Sequence, residues 1–134
     1  MRKLTPVRGV VMVVILILSV FGANSAFAHA QLTKSSPENK ASLKESPTNV
    51  DLWFNELLDD GFNTVEVYSA SELNAKQHTS LVTGEPKVDS ASHNHLVVTL
   101  KALKPGDYIV DYRVLSRDGH TAPGRITFTI LGPK

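Results

Sequence analysis

The chain has 134 residues, no cysteine and a formal net charge of +1. This length is enough for one domain with a hydrophobic core. The near-neutral charge argues against nucleic acid or an anionic membrane as a partner, because both call for clustered Lys and Arg. The absence of cysteine excludes a thiolate zinc site and a blue-copper centre.

The first 28 residues predict a cleaved secretory signal peptide. Basic residues lie near the start, residues 9–22 are almost wholly apolar, and Ala26-Phe27-Ala28 places small residues before a cleavage site. A basic start, a short apolar stretch and an A-x-A site are the three parts of such a signal. An uncleaved membrane anchor is the alternative, but the 14 residues of the apolar run are too few for a membrane span, which needs about 20.

Cleavage after Ala28 would remove 28 of the 134 residues and leave one mature domain of 106, residues 29–134. The signal holds three of the 14 Lys and Arg and none of the 13 Asp and Glu, so the mature domain would have a formal charge of −2. Both methionines, Met1 and Met12, would leave with the signal. The mature domain would therefore contain no sulfur ligand for a metal.

Seven segments of the mature domain have the alternation or the β-branched and aromatic content of strands. In chain order they are residues 31–34, 50–54, 64–68, 81–83, 96–100, 107–115 and 125–131. Turn-forming residues separate them, including Ala122-Pro123-Gly124 before the last strand. The polar stretch 69–92 predicts an irregular connection with one short strand, and Trp53 is expected in the core. The pattern predicts an all-β fold, a Greek-key β-sandwich or barrel of about seven strands.

No enzyme motif is evident in the chain. It lacks a G-x-S-x-G nucleophile turn and a glycine-rich phosphate loop. The carboxylates Glu56, Asp59 and Asp60 cluster around a turn, which is more typical of a solvated loop than of a catalytic pair. The sequence therefore predicts a binding protein with no catalytic residue.

His29 is the first candidate metal ligand. Cleavage would make it the first residue and free its α-amine, a group with a reference pKa of about 7.7–8.0. The deprotonated amine and the imidazole of one residue can bind the same ion with little ordering cost. Tetragonal nitrogen and oxygen coordination of this kind suits copper(II), which also tops the affinity series of the divalent metals.

Asp118 and His120 are the candidates for the rest of the site. They are two residues apart, so in an extended segment their side chains point the same way. Gly119 between them has no side chain to obstruct a metal. An ordinary hairpin turn is the alternative reading of Asp-Gly-His, and the metal-site interpretation gains weight only together with His29.

The remaining histidines, His78, His93 and His95, are expected to be surface or strand-end residues. His95 opens a predicted strand and His93 lies in a polar stretch. A second metal site built from His93 and His95 is the alternative, but nothing nearby in the sequence adds a carboxylate in an evident geometry.

The mature sequence resembles the copper-resistance protein CopC family over almost its whole length. The matching pieces occur in the family's order: His29-Ala30-Gln31-Leu32, Ser36-Pro37, Leu52-Trp53-Phe54-Asn55-Glu56, Leu103-Lys104-Pro105-Gly106-Asp107-Tyr108, and Val114-Leu115-Ser116-Arg117-Asp118-Gly119-His120 with Gly124. Each piece alone is weak evidence for the family, but the whole set in this order is specific to it.

The resemblance implies a cupredoxin-like or immunoglobulin-like β-sandwich that binds copper in the periplasm. It implies one copper(II) per chain, held by the α-amine and imidazole of His29, by Asp118 and by His120. Glu56 would lie near the site as an outer hydrogen-bond acceptor, and such partners orient ligands.

The chain departs from some family members in two ways. It has no methionine-rich segment for copper(I), a soft ion that prefers thioether or thiolate ligands. It also has Gln31 at the third mature position, where members that begin His-x-His have a second histidine. We therefore expect one copper(II) site, poor retention of copper(I) and release of the ion on reduction.

The predicted function is sequestration or carriage of copper(II), with delivery to an inner-membrane copper transporter and with the protein as a monomer. One alternative is a redox enzyme with an N-terminal histidine brace, resembling lytic polysaccharide monooxygenases. Against it, 106 residues leave little room for a flat substrate face, and a carboxylate ligand would fill a position that oxygen chemistry needs open. The other alternative is a metal-free β-sandwich interaction module.

Overall fold

The computed structural model describes residues 29–133, which form two four-stranded β-sheets and one short 3₁₀ turn. The predicted signal peptide, residues 1–28, lies outside the described residues. The strands are β1 Leu32–Ser36, β2 Ala41–Leu43, β3 Asn49–Phe54, β4 Thr64–Ser69, β5 Val82–Val88, β6 His95–Leu100, β7 Gly106–Leu115 and β8 Thr121–Ile130, with the 3₁₀ turn at Ala70–Glu72. Within residues 29–133, no helix is long and apolar enough to cross a bilayer.

The two sheets have the strand orders β1-β3-β6-β5 and β2-β8-β7-β4. All neighbouring strands are antiparallel except β2 and β8, which are parallel. The predicted all-β Greek-key sandwich is therefore confirmed, but with eight strands instead of about seven. The additional strand is β2, whose three residues are too few to show an alternating pattern.

The core lies between the two sheets and follows the alternation of the strands. Val50, Leu52 and Phe54 of β3 are at most 1% exposed. On the opposite sheet, Val110 of β7 and Phe128 of β8 are equally buried. Side chains of this size stabilise the fold by about 1.5–3 kcal/mol each when they are fully buried.

Trp53 is on the outer face of its sheet, and its predicted place in the core is wrong. Leu52 and Phe54 point inward, so the residue between them points outward. There the indole stacks on the imidazole of His95 at a centroid distance of 4.3 Å, and the Nζ atom of Lys34 lies 4.7 Å from the ring. Trp53 thus packs across three strands of the solvent-facing surface.

β8 begins at Thr121, so the turn predicted at residues 122–124 is part of a strand. Pro123 lies opposite Arg113 of β7. On the other side of β8, β2 pairs only with the far end of the strand, from Phe128 on, so β2 does not need an N–H from residue 123. The Ser116 N–H donates to the His120 carbonyl, so these two residues are a hydrogen-bonded pair. Hydrogen-bonded and non-hydrogen-bonded pairs alternate along an antiparallel ladder, which makes Arg113 and Pro123 a non-hydrogen-bonded pair. The missing N–H of Pro123 would face the open edge.

The polar stretch 69–92 holds more regular structure than predicted. It contains the 3₁₀ turn and the seven-residue strand β5. Gly84 and Pro86 are accommodated because β5 is an edge strand with a register irregularity at this point. The connection before β5 covers the outer face of the second sheet, where His78 stacks on the fully buried Tyr68 at 3.7 Å.

Gly124 is required by the ring of Tyr112, its neighbour across β7 and β8. A Cβ at residue 124 would overlap the Tyr112 hydroxyl and ring carbons well inside van der Waals contact. We expect Gly124→Ala to lower the free energy of unfolding by about 1–3 kcal/mol, because an overpacked site must shift. Gly132→Ala is the control, since its Cβ would meet nothing closer than 3.9 Å. Equal denaturation midpoints for the two variants would show that the Tyr112 ring does not require glycine at residue 124.

Asp111 of β7 should make the fold sensitive to acid. It accepts hydrogen bonds from Arg125 Nε at 2.6 Å, Arg125 Nη2 at 2.9 Å and the Tyr68 hydroxyl at 2.7 Å. Arg125 is the main reason that the pKa of Asp111 lies below its usual range, and Tyr68 adds to the effect. A carboxyl whose pKa is lowered by folding contributes stability above its unfolded pKa and loses it as pH falls through the folded pKa.

We therefore expect Asp111→Asn to cost about 1 kcal/mol near neutral pH and to flatten the loss of stability below about pH 4. Urea denaturation at several pH values measures both effects. Glu85→Gln, on the exposed part of β5, should follow the native profile. If Asp111→Asn kept the native acid dependence, protonation of Asp111 would not be a cause of the loss of stability in acid.

Candidate metal centre

The loop between β7 and β8, residues 116–120, carries two of the three predicted ligands. The two strands pair up to Leu115 and Thr121. Beyond them, the Ser116 N–H donates to the His120 carbonyl at 2.9 Å, and the Gly119 N–H donates to the Ser116 carbonyl at 2.9 Å. Gly119 has φ +91°, a backbone conformation that favours glycine. The segment is therefore a closed hairpin turn and not the extended segment assumed from the sequence.

The turn nevertheless brings Asp118 and His120 together. The Asp118 Oδ1 atom accepts a hydrogen bond from the Ser116 hydroxyl and another from the His120 N–H at 3.1 Å. The Oδ2 atom lies 3.2 Å from His120 Nδ1. The Ser116 bond, followed by the His120 N–H and imidazole, lowers the pKa of Asp118 to about 2. The carboxylate is thus ionised over the whole physiological range and available to a cation.

His29 approaches this loop from the other sheet. Its ring centroid lies 5.8 Å from that of His120, with the rings nearly perpendicular. Ala30 is buried, and Gln31 exchanges hydrogen bonds with Asn55 at 2.7 and 3.1 Å, which fixes the segment beside the end of β3. Two imidazoles on one ion, with bonds of about 2 Å, have centroids at most about 6 Å apart. The observed separation is within that reach.

Glu56 is half-buried and follows β3. Asn55, before it, bonds to the His29 segment, while the carbonyl of Leu57, after it, accepts from the Arg117 N–H at 2.9 Å. The backbone at Glu56 therefore lies between the N-terminal segment and the hairpin loop. Its role as an outer hydrogen-bond acceptor stays a prediction.

The predicted ligands are gathered at one end of the sandwich but do not form a closed set. Among residues 29–133, no three His, Asp or Glu side chains are close enough to form a metal site on their own. In the uncleaved chain the nitrogen of His29 belongs to the peptide bond with Ala28, so the fourth predicted donor does not exist there. The structure brings together two imidazoles and a carboxylate, and the α-amine would come from processing.

The other three histidines each lie beside a carboxylate that the local sequence does not reveal. His95 Nε2 is 2.8 Å from Asp51, His93 Nδ1 is 3.5 Å from Asp60, and His78 Nδ1 is 3.5 Å from Glu66. These carboxylates come from distant strands and loops, which is why the sequence around His93 and His95 does not predict them. All three are half-buried, and none is within a three-residue metal cluster of the described chain.

Ser116 is the site residue that sequence reasoning missed. It is 1% exposed, and its hydroxyl is a direct partner of Asp118. The available signal was its position two residues before Asp118, since Ser side chains often bond to polar groups two residues away in turns.

Comparison with known proteins finds relatives of this chain. The CopC domain model matches residues 32–131. The copper transport protein CutJ of Bacillus subtilis is 32% identical over 119 residues, which cover 88% of this chain but only 21% of that longer protein. Protein YobA of Escherichia coli strain K12 is 33% identical over 107 residues, 79% of this chain and 82% of that protein.

The fold is also that of a solved relative. The crystal structure of CopC from Methylosinus trichosporium OB3b superposes with a TM-score of 0.69 and 24% sequence identity. The superposition covers 79% of this chain and 97% of that one. The same sandwich is therefore shared over nearly the whole solved domain.

Proposed function

The chain belongs to the CopC domain family, and on that premise we propose that it binds one copper(II) ion in the periplasm and sequesters or carries it. The observation that carries the proposal is the approach of His29 to the Asp118–His120 pair. The three side chains come from opposite ends of the mature sequence, and the fold places them at one end of the sandwich.

The chemistry of these donors favours copper(II). The α-amine and imidazole of His29, the imidazole of His120 and one oxygen of Asp118 make a set of three nitrogens and one oxygen. Such a set suits the tetragonal geometry of copper(II). The mature domain has no methionine or cysteine, so copper(I) would find no soft ligand, and reduction should release the ion.

The charges at the site favour uptake and allow release. The ionised Asp118 leaves a net charge of about +1 when a divalent ion binds, because the other donors are neutral. Metal binding requires the amine and both imidazoles to be deprotonated, so acid competes with copper. Copper should therefore be held at neutral pH and given up as the medium becomes acidic.

The exposure of the site fits a carrier. The side chains of Asp118 and His120 are 42% and 61% exposed, so the ion would be at the surface and open to a partner. CutJ is described as a copper transport protein, and the segment similar to this chain is a fifth of its length. We propose that this chain, as a monomer, delivers copper to an inner-membrane transporter.

The first test is a copper(II) titration of protein that begins at His29, beside the same protein with one additional residue before it. We expect tight one-to-one binding by the first. We expect a loss of at least about 100-fold in the second, because the amine becomes an amide and the two-donor chelate is lost.

Equal affinity in the two proteins would show that the amine is not a ligand, and the proposed site would be wrong. Absence of binding by both would favour a metal-free interaction module. A copper-loaded sample that keeps its ion on reduction and turns over with ascorbate and peroxide would favour the redox enzyme.

A second test concerns the loop ligands. We expect Asp118→Ala and His120→Ala to weaken copper(II) binding by more than about 100-fold each, since even outer partners of a metal site cost 10–100-fold. His95→Ala and His78→Ala are matched controls, because both histidines also lie beside a carboxylate. A loss of copper affinity in either control as large as in the loop variants would place the site elsewhere.

A further inference from the structure

Ser116 is a buried polar residue at the base of the loop that carries Asp118 and His120. With Ser35, it is one of the two buried polar residues in the part of the chain that the structure describes. A buried hydroxyl needs a hydrogen-bond partner, because burial removes it from water and nothing else compensates that loss. The partner of this hydroxyl is therefore a constraint on the loop.

The backbone of Ser116 is held from two sides. Its N–H donates to the His120 carbonyl at 2.9 Å, and it forms an isolated β-bridge with Leu58, which is itself fully buried. The direction of its side chain is thus set by the hairpin and by the neighbouring loop. Its hydroxyl donates to Asp118 Oδ1, with the His120 carbonyl oxygen 3.1 Å away as the other acceptor within reach.

The two carboxylate oxygens of Asp118 are not equivalent as a result. Oδ1 accepts from the Ser116 hydroxyl and from the His120 N–H, so two donors occupy it. Oδ2 has the His120 imidazole, 3.2 Å away. The donors to Oδ1 are a buried hydroxyl and a backbone N–H of the hairpin. The neighbour of Oδ2 is the His120 imidazole, itself a proposed ligand of the same ion.

We propose that Ser116 is a positioning residue that reserves Oδ1 of Asp118 for the loop and presents Oδ2 to copper as a single ligating oxygen. The inference rests on the proposed copper site and goes beyond it, because it assigns the geometry of the carboxylate to a residue that does not touch the ion. Without the hydroxyl, the carboxylate can rotate and offer either oxygen or both.

Ser116→Ala tests the proposal in protein that begins at His29. We expect copper(II) affinity to fall about 10-fold, at the lower end of the loss typical for outer partners of metal ligands. The electron paramagnetic resonance spectrum of the bound copper should also change, because it reports the donor atoms in the copper plane. Ser35→Ala is the control, since it removes another buried hydroxyl from β1 and should change neither quantity.

A double-mutant cycle separates positioning from a general structural role. If Ser116 acts through Asp118, then Ser116→Ala should lower affinity in the native background and have no further effect in an Asp118→Ala background. An equal loss of affinity in both backgrounds would mean that Ser116 only supports the fold, and the proposal would be overturned. This comparison remains informative even when Ser116→Ala lowers the stability of the domain.

A measurement without metal completes the test. In the metal-free protein, Ser116→Ala should speed the hydrogen exchange of the His120 amide, because its acceptor is no longer held. If native protein binds no copper(II), the proposed function itself fails. If native protein binds copper and Ser116→Ala matches it in affinity, spectrum and amide exchange, only the role of Ser116 is refuted.

Discussion

The pairing of β7 with β8 is the constraint on which the rest of the site depends. Ten residue pairs join the two strands without interruption, from Gly106 and Ile130 to Leu115 and Thr121. Inward-facing side chains such as Val110 and Phe128 anchor this ladder in the core. The loop at its end has only five residues. The positions of Asp118 and His120 are therefore determined by the strands that the core anchors.

The segment after β3 joins the other half of the site to this ladder. Asn55 bonds to the segment of His29, Leu57 and Leu58 pair with Arg117 and Ser116, and the Asp59 N–H donates to the Leu115 carbonyl at 2.8 Å. One short stretch therefore connects the first residues of the described chain to the last hairpin. These contacts are mostly backbone hydrogen bonds, which depend little on side-chain identity, so the geometry of the site can persist while the surrounding sequence varies.

Much of the fold could be predicted because strand alternation is a local signal. Residues 50–54 and 107–115 carry this signal and both lie in strands of the structure, although Trp53 faces outward instead of into the core. The candidate ligands came from the chemistry of His29 and the Asp-Gly-His motif together with the family resemblance. The structure brings their side chains close, while their binding of copper stays a prediction.

The features that sequence reasoning missed depend on contacts between distant residues. Asp51 and His95 are 44 residues apart and meet only because β3 and β6 are neighbours. Pro123 and Gly124 have turn-forming composition, but their meaning is set by the open edge of β8 and by the ring of Tyr112. Likewise, Ser116 becomes significant only once the hairpin folds its hydroxyl towards Asp118.

Pro123 also affects how other copies of the protein could associate with the sheet edge. Within residues 29–133, no strand pairs with the first half of β8 on the side away from β7. Open sheet edges are templates on which strands of other molecules can add. A proline there offers no N–H to an incoming strand and so interrupts the row of donors. The interruption falls three residues after His120, so an incoming strand would find one N–H donor fewer beside the proposed ligands. At the end of the sandwich where His120 lies, the open edge is therefore an incomplete template for a strand of another molecule.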